Sequence, residues 1–188
     1  MQKPNYPQAL KKTEMKEFYL NSENLKEHIA ELSVGDKVYL SGTVYTSRDA
    51  AHKRIFELLE SGKPLPYDLK NATIYYAGPT PTPKNLPIGS CGPTTSCRMD
   101  PYTPKLYDLG VVATIGKGER SSEVINAIKR NGAVYLCAIG GAGALSALSV
   151  TECDVIAFED LGCESVKKLK FKDFPLIVGI DSNGNSIF

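Results

Sequence analysis

No pair among the five cysteines (Cys91, Cys97, Cys137, Cys153 and Cys163) has the C-x-x-C spacing of zinc or iron–sulfur ligands. A metal cluster held by this chain alone is therefore not expected. No apolar run approaches the ~18 residues of a spanning helix. The first residues, with Lys3, Pro4 and Pro7, contain no apolar signal-peptide stretch. Neither sign of charge dominates: 22 Lys and Arg stand against 21 Asp and Glu, a net charge of +1. That balance removes the footprint of a nucleic-acid or anionic-membrane binder. The tyrosines do not interleave with a basic stripe, so no base-stacking platform is expected. A dinucleotide loop and a P-loop are also missing. Gly140-Gly-Ala-Gly143 follows a strand and opens a helix, but its spacing is not G-x-G-x-x-G and no Walker lysine follows. Tight strand-to-helix packing accounts for it. These absences leave a soluble, cytoplasmic protein.

What is there fits one domain. A chain of 188 residues can bury roughly 70% of its unfolded surface without disulfide staples. Residues 1–19 read as an N-terminal tail and 20–188 as a single domain. Helical spacing of Leu25, Ile29 and Leu32 predicts a helix over 20–32. Strands are expected at 37–45, 72–77, 111–115, 133–139, 154–158 and 176–180. Helices are expected at 50–60, at 121–130 with Ser121 as cap, and at 142–148. A turn at Asn183-Gly184 closes a terminal hairpin. Strands alternating with helices define α/β, and the hairpin signals make the sheet mixed.

The segment Gly89-Ser-Cys-Gly-Pro-Thr-Thr-Ser-Cys-Arg-Met-Asp100 carries the densest chemistry. Gly89 and Gly92 let the backbone approach a ligand, and Pro93 stiffens the turn. A helix beginning near Thr94 would favour an anion at its N-terminus and place Arg98 on the same face. The plainer alternative is a threonine cap with a surface arginine. Arg48, Arg98 and Lys117 each follow a strand through a polar or glycine-rich step, where α/β proteins bind ligands. Converging, they would suit a small diacid; the alternative is three separately solvated charges. His52 lies four residues after Arg48 and reads as either an acid–base group or a structural hydrogen-bond partner. His28 reads as ordinary surface or packing.

The strings Gly92-Pro-Thr-Thr-Ser-Cys-Arg-Met-Asp100 and Thr46-Ser-Arg-Asp-Ala-Ala-His-Lys-Arg54 are specific. With Tyr75-Tyr-Ala-Gly-Pro79, Gly116-Lys-Gly118, Ala138-Ile-Gly-Gly-Ala142 and Phe158-Glu-Asp-Leu-Gly162 in order, the chain resembles the class I iron–sulfur fumarate hydratase and L-tartrate dehydratase family. Within it, the chain is similar to the β subunit, which matches the C-terminal half of the single-chain enzymes. The resemblance implies a swivelling β/β/α domain whose mixed sheet is flanked by helices. It implies a partner α subunit holding a 4Fe–4S cluster through three cysteines, the fourth iron open to a C4 dicarboxylate substrate as a Lewis acid. By motif position Arg48, Arg98 and Lys117 would grip the carboxylates. Thr94 would be the candidate general base, although its hydroxyl is too weakly acidic to serve without nearby positive charge. Ser96 and Cys97 stand where the family often has alanine or glycine, which places Cys97 near the pocket. The implied activity is reversible hydration of fumarate to (S)-malate. Tartrate dehydration is the nearest alternative, and a non-catalytic anion-binding or assembly module is the alternative of another class.

Overall fold

The structure is a computed structural model that describes residues 15–188. Residues 1–14, most of the expected tail, lie outside the described residues. By Glu17 the chain is already a strand.

Seven strands form one sheet: β1 (Glu17–Asn21), β2 (Lys37–Thr46), β3 (Thr73–Tyr75), β4 (Ala113–Gly116), β5 (Val134–Cys137), β6 (Val150–Ala157) and β7 (Val166–Ile180), in the order β1-β2-β3-β4-β5-β7-β6. β2 also pairs with β7. Strands β2, β3, β4, β5 and β7 therefore close on themselves, leaving β1 and β6 as outer additions. Neighbours from β1 to β5 run parallel, while β7 is antiparallel to β2, β5 and β6.

The central strands read as continuous apolar runs because both of their faces are buried. Alternate residues serve two cores. Tyr75, Val134 and Leu136 pack inside the closed sheet with Val38, Leu40 and Leu169. Ile74, Tyr76 and Tyr135 pack outward under the helices. The outer layer comprises α2 (Asp49–Glu60), α3 (Thr103–Asp108) and α4 (Ser122–Asn131). α4 starts as its sequence predicts: Ser121 Oγ accepts from Val124 N at 3.4 Å, and Gly132 ends it in the left-handed region at φ 57°. Two further helices are α1 (Leu25–His28) and α5 (Gly143–Leu148).

The expected helix over 20–32 is shorter and starts later. Phe18 and Leu20 alternate with exposed Glu17, Tyr19 and Asn21, a period-two pattern that pairs β1 alongside β2. Leu25, Ile29 and Leu32 are buried as their spacing indicates, on α1 and the 3₁₀ turn Ile29–Glu31. β7 is far longer than the expected 176–180. Its earlier half alternates exposed Lys168, Lys170 and Lys172 with buried Leu169 and Phe171, a strand signal masked by the lysines.

Candidate active site

Parallel strands deliver their C-terminal ends to one edge, and the steps after β2, β3, β4 and β5 carry Arg48, Gly78, Lys117 and Gly140. Arg48 sits just before α2 with extended backbone (φ −149°, ψ 179°). Its guanidinium covers Gly78 so closely that a Cβ there would lie 2.8 Å from Arg48 Cζ. A side chain at Gly78 would push the Arg48 guanidinium aside. Arg48 Nη2 donates to Glu164 Oε1 at 2.9 Å. The other oxygen of Glu164 accepts from Ala50 N at 2.8 Å, so this carboxylate caps the first turn of α2.

Arg98 reaches the same place from the Gly-Pro-Thr-Thr turn. Its Nε donates to Asp49 Oδ1 at 3.0 Å, its Nη2 to Asp49 Oδ2, and its Nη1 to Thr94 Oγ1 at 3.3 Å. Arg48 Nε lies 3.9 Å from Asp49 Oδ2. The predicted residues Arg48, Arg98 and Thr94 thus form one connected group through Asp49. Lys117 joins through the backbone. Ser96 N donates to Lys117 O at 2.9 Å, and Lys117 N donates to Ser96 Oγ at 3.0 Å. The Lys117 side chain runs beside Gly140. Gly143 packs against Gly92, and Cys91 N donates to Gly143 O at 2.9 Å. The glycine-rich loop therefore serves close backbone approach to residues 90–92.

The expected helix N-terminus near Thr94 is not formed. Residues 93–95 are extended, tied by the bridges Ala77↔Pro93 and Thr95↔Lys117, and only one 3₁₀ turn, Ser96–Met99, follows. Pro93 and the two bridges hold Thr94 out of helical geometry, so no helix N-terminus is formed at Thr94 itself. The 3₁₀ turn still places Arg98 beside Thr94.

His52 is fully buried, with Nδ1 2.9 Å from Ser47 Oγ and the ring 5.6 Å from those of Tyr76 and Tyr102. Burial lowers its pKa to about 4; the Arg48 backbone opposes this, and the positive charge of Arg120 adds to it. The enclosed imidazole makes a structural hydrogen bond to Ser47. His28 lies outside the site, 3.0 Å from Glu31.

Several contributors escaped the sequence reading. Arg120 has a fully buried side chain that donates from Nε to Asp100 at 2.8 Å and from Nη2 to Thr103 Oγ1 at 2.8 Å. It lies against the rings of Tyr76 and Tyr135. The aspartate ending the Arg-Met-Asp string is thus an anchor; its second oxygen accepts from Ser121 N at 2.7 Å, at the start of α4. Arg54 donates both terminal nitrogens to Asp160 and lies over Phe158, locking the Arg-Asp-Ala-Ala-His string to the Phe-Glu-Asp-Leu-Gly string. Lys167 gathers Ser165 Oγ at 2.6 Å and Gly162 O at 3.1 Å, bracing the turn that carries Glu164. Burial holds its pKa below the usual lysine range. Glu164 and Lys167 had no signal in the sequence, because their partners lie far along the chain or in the backbone.

All five cysteines are free thiols. Cys97 is exposed on the turn that bears Arg98, and Cys163 Sγ lies 4.0 Å from Arg48 Nη2. Burial pushes Cys91 up to about 12. Among the described residues no group of three or more His, Cys, Asp or Glu could hold a metal ion, so these residues do not fit an iron–sulfur cluster.

Fold and site together define an α/β domain with a cationic edge at the ends of its parallel strands. The chain belongs to the fumarase C-terminus family, whose model matches residues 1–188. It is 39% identical over 168 residues to fumarate hydratase 2 of Leishmania major, and 40% identical over 169 residues to the anaerobic class I fumarate hydratase of Escherichia coli. Those matches cover 88% and 87% of this chain but only 30% and 31% of the relatives, so the chain spans about a third of their length. It is also 43% identical over 169 residues to a putative L(+)-tartrate dehydratase subunit beta of Methanocaldococcus jannaschii, covering 87% of both chains.

Proposed function

We propose that this chain is the β subunit of a heteromeric hydro-lyase that adds water to fumarate and removes it from (S)-malate. One observation carries the reading: two arginines from separate loops meet at a single aspartate, and one of them, Arg98, also holds the hydroxyl of Thr94. Paired N–H donors of Arg48 and Arg98 suit one carboxylate of a C4 diacid, and the Lys117 ammonium suits the other. Thr94 stands beside the carbon that gains or loses a proton. The hydrogen bond from Arg98 Nη1 favours negative charge on Thr94 Oγ1, the help a hydroxyl needs before it can take a proton. In the forward direction one C–H and one C–O bond form at the expense of the double bond and a water O–H bond.

The 4Fe–4S cluster is assigned to a separate α subunit, because the described residues offer no ligand set for it. Support for two chains comes from the tartrate dehydratase relative, which has nearly this chain's length and is named a subunit. Exposed Leu145 and Leu148 on α5 add an apolar rim beside the Gly92–Gly143 contact, the kind of surface a partner covers. Tartrate is the second substrate reading, favoured by that same match over 87% of both chains. No helix among the described residues is long and apolar enough to cross a membrane, and we place the protein in the cytoplasm, without nucleic acid or membrane as partner.

Anaerobic mixing with a cluster-bearing α chain, assayed on fumarate, malate and tartrate, tests the reading. The mixture turns over a C4 diacid, while this chain alone does not. An inactive mixture, together with tight phosphate binding by the isolated chain, would instead establish the anion-binding module.

A further inference from the structure

Arg98 is engaged on one side before any ligand arrives. A guanidinium has five N–H donors. Asp49 takes the Nε–H and one Nη2–H, and Thr94 takes one Nη1–H, leaving two N–H groups, one on each terminal nitrogen. Asp49 is the first residue of α2, where a carboxylate is also favoured by the helix dipole. The same carboxylate is 3.9 Å from Arg48 Nε. One negative charge thus stands between two guanidinium groups that would otherwise repel each other. It also links the loop after β2 to the turn after the proline-rich segment, two pieces of chain 49 residues apart.

We propose that Asp49 is a positioning residue for the hydro-lyase reaction. Its carboxylate stays on Arg98 through turnover, so that Nη1 keeps its bond to Thr94 and the two remaining N–H groups face the substrate carboxylate. This rests on the reading of the site given under Proposed function. A carboxylate that merely filled the substrate's place would behave in the opposite way: its removal would lower KM and raise kcat/KM.

Asp49→Asn and Asp49→Ala chains, each paired with the α subunit, are compared with the natural chain on fumarate. Both variants melt within about 4 °C of the natural chain, because the pair is partly exposed. Their kcat falls about 10- to 100-fold, the usual effect of a misplaced orienting group. Excess formate, which fits the vacated fork on Arg98, restores part of kcat in Asp49→Ala and none in Asp49→Asn or the natural chain. Three outcomes overturn the proposal: kcat/KM within threefold of natural, a raised kcat/KM, or a loss that formate leaves untouched. If the natural pair turns over no C4 diacid, the functional reading falls, and the guanidinium itself decides on Asp49. In ¹⁵N-labelled chain, an Arg98 Nε–H resonance (identified by its loss in Arg98→Lys) protected from exchange in the natural protein but not in Asp49→Ala sustains the positioning. Equal exchange in both removes it.

Discussion

Asp100 Oδ1 accepts from Arg120 Nε at 2.8 Å, and the arginine side chain has no exposed surface while the carboxylate keeps 12% of its own. This ion pair stands directly behind the turn that carries Thr94 and Arg98. Its second carboxylate oxygen fixes Ser121 N at the head of α4. The site's front face is therefore anchored to the outer helical layer by one buried charge pair.

Removing half of that pair strands a buried charge. Asp100→Ala should cost about 3–5 kcal/mol of stability, read as a lower midpoint in urea unfolding. A paired replacement of both residues by apolar side chains should recover most of the loss, because the penalty lies in the uncompensated charge.

Gly116 and Ser96 interlock behind Lys117. A side chain at Gly116 has no room, since Ser96 Oγ occupies the space and a ring carbon of Tyr76 is 3.0 Å from where a Cβ would sit. Gly116→Ala should destabilise by about 1–3 kcal/mol and shift Ser96, whose hydroxyl accepts from Lys117 N. Hydratase activity should fall at least about 10-fold. Adding Ser96→Ala should return stability more than activity, as thermal melting and initial rates together will show.

Arg98 is half-exposed, at 50%, so its ion pair with Asp49 contributes about 0–1 kcal/mol. Arg98→Ala should leave the melting temperature nearly unchanged while kcat/KM falls more than about 100-fold. Arg98→Lys should rescue little, since a lysine cannot hold Asp49 and Thr94 in a planar fork. Near-normal turnover in the alanine variant would remove Arg98 from the site.

Acid sensitivity should trace to His52. Its folded pKa near 4 lies below the unfolded value of about 6.5, so the unfolded chain binds more protons between these values. Stability from the neutral imidazole is complete above about pH 6.5 and is lost as pH falls toward 4, by up to roughly 3 kcal/mol. Urea midpoints measured from pH 7 to 5 should fall in the natural chain and stay flatter in His52→Gln.

Much of the architecture was legible because strand and helix periods differ. The helix at 50–60 is α2, with Ala51 and Ile55 buried, and Ser121 caps α4 as its position indicates. The candidate cations were legible as a pattern too, Arg48 and Lys117 following β2 and β4 and Arg98 following the Gly-Pro turn. Two parts were not. The helix expected at Thr94 was undone by bridges to Ala77 and Lys117, which are contacts with other strands and leave no local trace. β7 was read too short because its lysines look like loop, although they point outward from a buried row of Leu169 and Phe171.

By itself the sequence determined an α/β domain, the positions of its three cations and the threonine beside them, and a cysteine spacing unsuited to a cluster. Those follow from periodicity and residue chemistry, which act over a few neighbouring residues. Tertiary structure alone decided that β7 closes the sheet against β2, that Asp49 and Glu164 hold the arginines, and that Arg120 anchors Asp100. These rest on partners 20 to 140 residues apart (Asp100 with Arg120 at one extreme, Lys37 with Ile177 at the other), brought into contact only when both faces of the strands are buried at once.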